Sequence, residues 1–197
     1  MATTPATAGA IDLSALPADF PRTLTGDTLF GGEPPAWEGA LDAWLTQVGV
    51  DTSGWGQSGA KRVSNLVDEL RAKESTLQLL HPGKAFRCLS VVKLVLRQPG
   101  LTSKHLACYS QRMADGRVRS RNVLPSEKLI AGEVPTHAAL RGVKEEMGGL
   151  VTDLSAVDLL LDTHLSWDEI IESPSFPSLT TMYTLHQSTH AAPLTTD

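Results

Sequence analysis

Apolar residues recur at helical spacing over residues 35 to 48, PAWEGALDAWLTQV. Trp37, Leu41, Trp44, Leu45 and Val48 fall on one side, and Gly49 ends the run. A second helical run starts at Ser58 and carries Val63, Leu66, Val67 and Leu70, so a small helical hairpin is expected. Its tryptophans read as packing residues. From residue 86 the pattern changes to that of strands. FRCLSVVKLVLR predicts one strand, HLACYSQRM a second, and ADGR at residues 114 to 117 a hairpin turn into VRSRNVL. Helical spacing returns over residues 136 to 147, where Leu140, Val143 and Met147 make an apolar stripe. Pro135 suits the entry to that helix, Thr136 can cap it, and Gly148 and Gly149 stop it. LSAVDLLLDTHLSW, EIIES and TTMYTLHQ are further strand candidates.

This order predicts a flexible arm over residues 1 to 34, a helical extension over 35 to 80, an α+β domain over 86 to 187, and a loop or tail over 188 to 197. Ile11, Leu13, Leu16 and Phe20 in the arm are available to lie on the domain surface. The 197 residues are enough to bury one good core. A formal net charge of −5 gives no general signal for nucleic acid, and no apolar run approaches the length of a bilayer span. The first 23 residues lack a basic segment followed by an apolar core, and Arg22 is their only basic residue. A secretory signal is therefore not expected, and an organellar presequence, though poorly supported, stays open. Cys88 and Cys108 are too few for a disulfide scaffold, which makes a reducing, cytoplasmic compartment the default.

Chemistry concentrates in residues 127 to 149, EKLIAGEVPTHAALRGVKEEMGG. A turn carries Glu133, and the helix after it carries Arg141 and the adjacent pair Glu145 and Glu146. Arg141 and Glu145 lie one turn apart and can pair; an ordinary solvated helix would look the same over this short stretch. The longer spacing adds to that. The segment resembles the Nudix box, Gx5Ex7REUxEExGU with U apolar, and Glu133, Arg141, Val143, Glu145, Glu146 and Gly148 match it in register. Three positions depart from it: Glu127 stands at the opening glycine, Gly142 at the glutamate after the arginine, and Gly149 at the final apolar position.

The resemblance implies an α/β/α sandwich with a mixed sheet. It also implies a divalent-metal-dependent hydrolase of diphosphate-containing small molecules, with nucleoside diphosphate-linked compounds among the candidates. On that reading Glu145 and Glu146 hold magnesium or manganese, with Glu133 a third ligand, and Arg141 orients a glutamate because it stays protonated. Gly142 leaves the acidic ridge one carboxylate short, and Asp168, Glu169 and Glu172 form the nearest pool of substitutes. Alternation along a strand would put Arg117, Arg119 and Arg121 on one face, with Lys128 nearby, as cations for substrate phosphates. A solvated strand face accounts for the same arginines. A catalytically inactive sensor of nucleotides or phosphometabolites, or a protein-interaction module, is the alternative. A protein partner or homodimer is compatible with either.

Two other features carry less. GWGQSG at residues 54 to 59 has the spacing of a dinucleotide-binding loop, but no strand precedes it and a structural turn is expected. His137 sits in the first turn of the box helix as a surface residue, and His81, His105, His164, His186 and His190 show no ligand spacing.

Overall fold

The computed structural model describes residues 11–29, 35–80, 83–98, 103–112, 116, 118–147, 151, 158–159 and 164–191. The architecture is α+β, with helices ahead of a mixed sheet. The chain divides into two compact units. The first comprises residues 1–89 and 168–183, the second residues 90–167 and 184–197.

The first unit holds β1 (Thr23–Leu24), α1 (Gly26–Leu29), α2 (Pro35–Gln47), α3 (Val63–Arg71) and β2 (Thr76–Leu80). Leu41, Trp44, Leu45 and Val48 bury the stripe that the sequence of α2 predicts, against Leu66, Val67 and Leu70 of α3. The helix expected from Ser58 begins at Val63, because residues 53 to 59 are spent on turns in which Gly56 and Gly59 adopt positive φ. Trp44 and Trp55 are buried, and their Nε1–H groups donate to the carbonyls of Pro21 and Pro177, each at 2.9 Å. Packing, with the one polar handle satisfied, is thus their role. Ile11, Leu13, Leu16 and Phe20 pack against this core, and Phe20 stacks on Trp44. Lys61 donates to Glu69 at 3.0 Å and Gly56 N–H donates to the Lys61 carbonyl, so the 54–59 segment is a closed turn with its neighbouring cation engaged.

β3 (Lys84–Arg97) belongs to the first unit up to Leu89 and to the second from Ser90. Its burial changes phase at that point. Ala85, Arg87 and Leu89 are buried in the first stretch, and Val92, Leu94 and Leu96 in the second. One strand therefore feeds two cores, Ala85 joining the first and Val92, Leu94 and Leu96 the second, with Val95 buried as well.

The second unit adds β4 (Cys108–Arg112), β5 (Val118–Val123), β6 (Ser126–Lys128), α4 (Pro135–Met147) and β7 (Asp158–Leu159). β8 (Leu165–Glu172) and β9 (Thr180–Ala191) have residues in both units. The main sheet runs β1-β2-β3-β9-β7, with β6 on β3 and β8 on β9, and β4 and β5 form a separate antiparallel pair. Where the sequence reading places a tail from residue 188, the structure continues β9 to Ala191. Of the 154–167 strand candidate, residues 154–157 and 160–163 lie outside the described residues, 158–159 form β7 and 165–167 begin β8.

α4 starts at Pro135, one residue ahead of the expected Thr136 cap, and proline suits a first helical position whose N–H has no partner. Ala138, Ala139, Gly142, Val143 and Met147 form its buried face. That face is built of smaller residues than the expected stripe, with Leu140 only half-buried. It packs with Val92, Leu94, Leu96 and Leu129. Gly148 and Gly149, the expected stop, lie outside the described residues. No described helix is long and apolar enough to cross a membrane.

Candidate functional site: an arginine clamp beside a basic cleft

Three antiparallel register points, Val91 opposite Lys128, Val92 opposite Glu127 and Lys93 opposite Ser126, fix β6 on β3. α4 packs over β6, and the guanidinium of Arg141 reaches back across it. Arg141 Nε donates to Glu133 Oε1 at 3.3 Å and Nη2 donates to Glu133 Oε2 at 3.0 Å. Nη1 donates to Glu127 Oε1 at 2.9 Å, and Nη2 also donates to the Lys128 carbonyl at 2.7 Å. Glu145 Oε2 is the outermost neighbour, 3.9 Å from Nη1. A planar fork of five donors suits this set, and an ammonium would not span it.

The electrostatics follow from that geometry. The hydrogen bond from Arg141 holds the Glu133 carboxyl below its ordinary range, and the bond from the Ile130 N–H adds to it. In return Glu133 first, then Glu127, drives the Arg141 pKa above its already high value. The cation expected to orient a glutamate is therefore held chiefly by Glu133 and Glu127.

The other expected residues separate. Glu145 and Glu146 are exposed on the last turn of α4, where two carboxylates run against the helix dipole. Lys128 is half-buried on β6. Arg117 and the side chain of Arg119 lie outside the described residues. Arg121 is exposed on β5. The parity that would align it with Arg119 is interrupted: Ser110 pairs with Ser120 and Cys108 with Val123, so Arg121 and Asn122 together face Tyr109 as a bulge. Asn122 takes a φ of 50°, which asparagine tolerates better than most side chains. Asp168, Glu169 and Glu172 are exposed on β8, where Glu172 Oε1 accepts the Ser178 N–H at 3.2 Å. His137 is exposed, as expected.

Arg121 lines a cleft of about 510 Å³ between the β4–β5 hairpin and the last turn of α4. Arg112 lines it as well, with Glu146 and Met147 from the helix and Leu106, Val123 and Leu124 as apolar wall. Arg112 went unweighted in the sequence reading, although it shares strand parity with Cys108 and Ser110, which also line the cleft. What the sequence lacks is the register shift at Arg121 and the approach of α4, which together make the cleft.

Magnesium or manganese needs several uncommitted oxygens. Glu133 spends both on Arg141 and Glu127 spends one, and among the described residues no group of three or more His, Cys, Asp or Glu is disposed to hold a metal ion. The residues as placed do not fit a preformed metal site.

No known family model matches the chain, and no curated protein does. Among solved structures it is similar to RenU, a Nudix hydrolase from M. smegmatis, at 20% identity and TM-score 0.34, over 54% of this chain and 64% of that one. The chain thus spans less than two thirds of RenU. It is similar to the C. elegans Ap4A hydrolase in a binary complex at 17% identity and TM-score 0.30, over 55% of this chain and 72% of that one. A second structure of the C. elegans enzyme matches at 17% identity and TM-score 0.27, over 52% of this chain and 69% of that one. At these identities and scores the reading of the site rests on its own residues. The helices ahead of a mixed sheet agree with the expected α+β class.

Proposed function

We propose that the chain binds a diphosphate-containing small molecule in the cleft between the β4–β5 hairpin and the end of α4. The observation that supports this reading is that Arg112 and Arg121 line one cleft in a chain of formal net charge −5. Two guanidinium groups there draw an anion against the sign of the whole protein, and their donors fit phosphate oxygens. Leu106, Val123, Leu124 and Met147 offer apolar surface to the organic part of the ligand. Nucleoside diphosphate-linked compounds are the first class to test.

The protein acts, on this proposal, as a Nudix-like sensor that holds its ligand without efficient turnover, because Glu133, the expected third ligand, is committed to Arg141 and no group of three or more potential ligands is disposed around a cation among the described residues. Hydrolysis with magnesium or manganese is the second reading, and the exposed Glu146 at the cleft wall favours it.

Calorimetry and mass spectrometry against a panel of diphosphate compounds separate the two readings, with magnesium, with manganese and with a chelator. The sensor reading expects binding that survives the chelator, is lost in Arg112→Ala/Arg121→Ala, and leaves the ligand intact. Chelator-sensitive turnover that disappears in Glu145→Gln/Glu146→Gln would replace it with the hydrolase. Absence of both binding and turnover would leave the protein-interaction reading.

A further inference from the structure

We infer that Glu127 and Gly142 are one size-matched exchange, in which the carboxylate missing from α4 is supplied by β6 and serves to hold Arg141. Against the box pattern the two positions look like separate departures, an acid where glycine is expected and a glycine where an acid is expected. In space they are a single contact. A Cβ built on Gly142 would lie 2.8 Å from Glu127 Cβ, 3.2 Å from its Cγ and 3.6 Å from Leu94 Cδ1.

The closest of these contacts is decisive. A Cβ is fixed by its backbone, so no rotamer change on either residue relieves an approach of 2.8 Å. Any side chain at residue 142 therefore requires β6 or α4 to move, or requires residue 127 to be glycine. Gly142 is buried, so the displacement would have to be taken up inside a packed layer.

The displaced acid keeps a defined task. Glu127 is only 15% exposed, and its Oε1 accepts from Arg141 Nη1 at 2.9 Å and from the Lys128 N–H at 3.1 Å. An acid on the helix at residue 142 would extend the ridge of Glu145 and Glu146. The same acid on β6 instead closes the inner side of Arg141, opposite the fork of Glu133. Glu127 is a positioning residue for Arg141, and the exchange turns a potential metal-holding ridge into an arginine clamp.

Four full-length chains test the steric half: wild type, Gly142→Ala, Glu127→Gly and the double variant. Gly142→Ala is expected to lower Tm by about 5 °C through overpacking. In the Glu127→Gly background the same alanine is expected to cost nothing further, since it is the better helix former once the clash is gone. An equal loss in both backgrounds would overturn the inference.

Manganese binding, read by electron paramagnetic resonance, tests the carboxylate half. Glu127→Gly/Gly142→Glu is expected to bind Mn²⁺ at least tenfold more tightly than the wild type. No gain in the folded double variant, or an equal gain from Gly142→Glu alone, would overturn it.

Discussion

Arg141 and Glu133 meet as a two-point fork, Nε on Oε1 at 3.3 Å and Nη2 on Oε2 at 3.0 Å, and this pair ties the turn before α4 to its middle. The relationship makes the segment from Glu127 to Arg141 a structural clasp. Arg141→Met is expected to cost about 1–2 kcal/mol, because it leaves two largely covered carboxylates without their cation while solvent still reaches part of the site. Arg141→Lys should recover less than half of that, since one ammonium cannot reproduce the fork. Urea unfolding of the three proteins decides it, and full recovery by lysine would show that only the charge matters.

The same pair sets a pH dependence. Glu133 has its carboxyl lowered in the folded state, first by the hydrogen bond from Arg141. A lowered folded pKa contributes stability that is fully present above the unfolded value, ordinarily 4.5, and is lost as pH falls through the folded value. Urea midpoints should therefore fall more steeply below about pH 4.5 in wild type than in Glu133→Gln. Parallel profiles for the two proteins would remove Glu133 from the acid response.

Binding and stability should separate at the cleft. Arg112 and Arg121 are exposed, so alanine at either position should leave the unfolding midpoint within about 0.5 kcal/mol of wild type. Each should weaken diphosphate binding by about tenfold, and the loss should shrink as salt is raised. Calorimetry at two salt concentrations checks this; a loss unaffected by salt would point to shape rather than charge.

In the first unit, Glu69 is buried and accepts from Lys61 Nζ at 3.0 Å and from Arg87 Nε at 2.9 Å, with Arg87 buried beside it. Glu69→Ala should cost about 3 kcal/mol or more, because it strands a guanidinium in the interior. Removing both charges with Glu69→Leu/Arg87→Met should cost less than the single change. Double-variant unfolding curves measure it, and simple additivity would mean that the two groups are not coupled.

Thiol labelling offers a separate check on β3. Burial pushes the Cys88 thiol up to about 11, so only ~0.1% is thiolate at pH 8. Labelling should be slow in the native protein and accelerate in urea. Fast native labelling at Cys88 would contradict the covering of its thiol.

Local periodicity determined much of this molecule. The stripes of α2 and α3, the strand character of residues 86 to 97 and the helix carrying Arg141 follow from spacings of two, three or four residues. The antiparallel pairing of β4 with β5 agrees with the expected hairpin, although residues 114, 115 and 117 of its turn lie outside the described residues. The fork between Glu133 and Arg141 was half legible, since the turn before α4 keeps the two within eight positions. Tertiary structure alone decided the rest. Burial along β3 changes phase at Ser90 because its two stretches serve two cores, a fact no single period contains. Arg121 leaves its expected parity at a bulge, and it shares a cleft with Arg112 and the end of α4. The meaning of Gly142 lay beyond the sequence for the same reason: Glu127 stands fifteen positions away along the chain, and only the packing of α4 on β6 puts them into one van der Waals contact. Spacing fixes which side chains share a face, while the approach of one backbone to another fixes which of them have room.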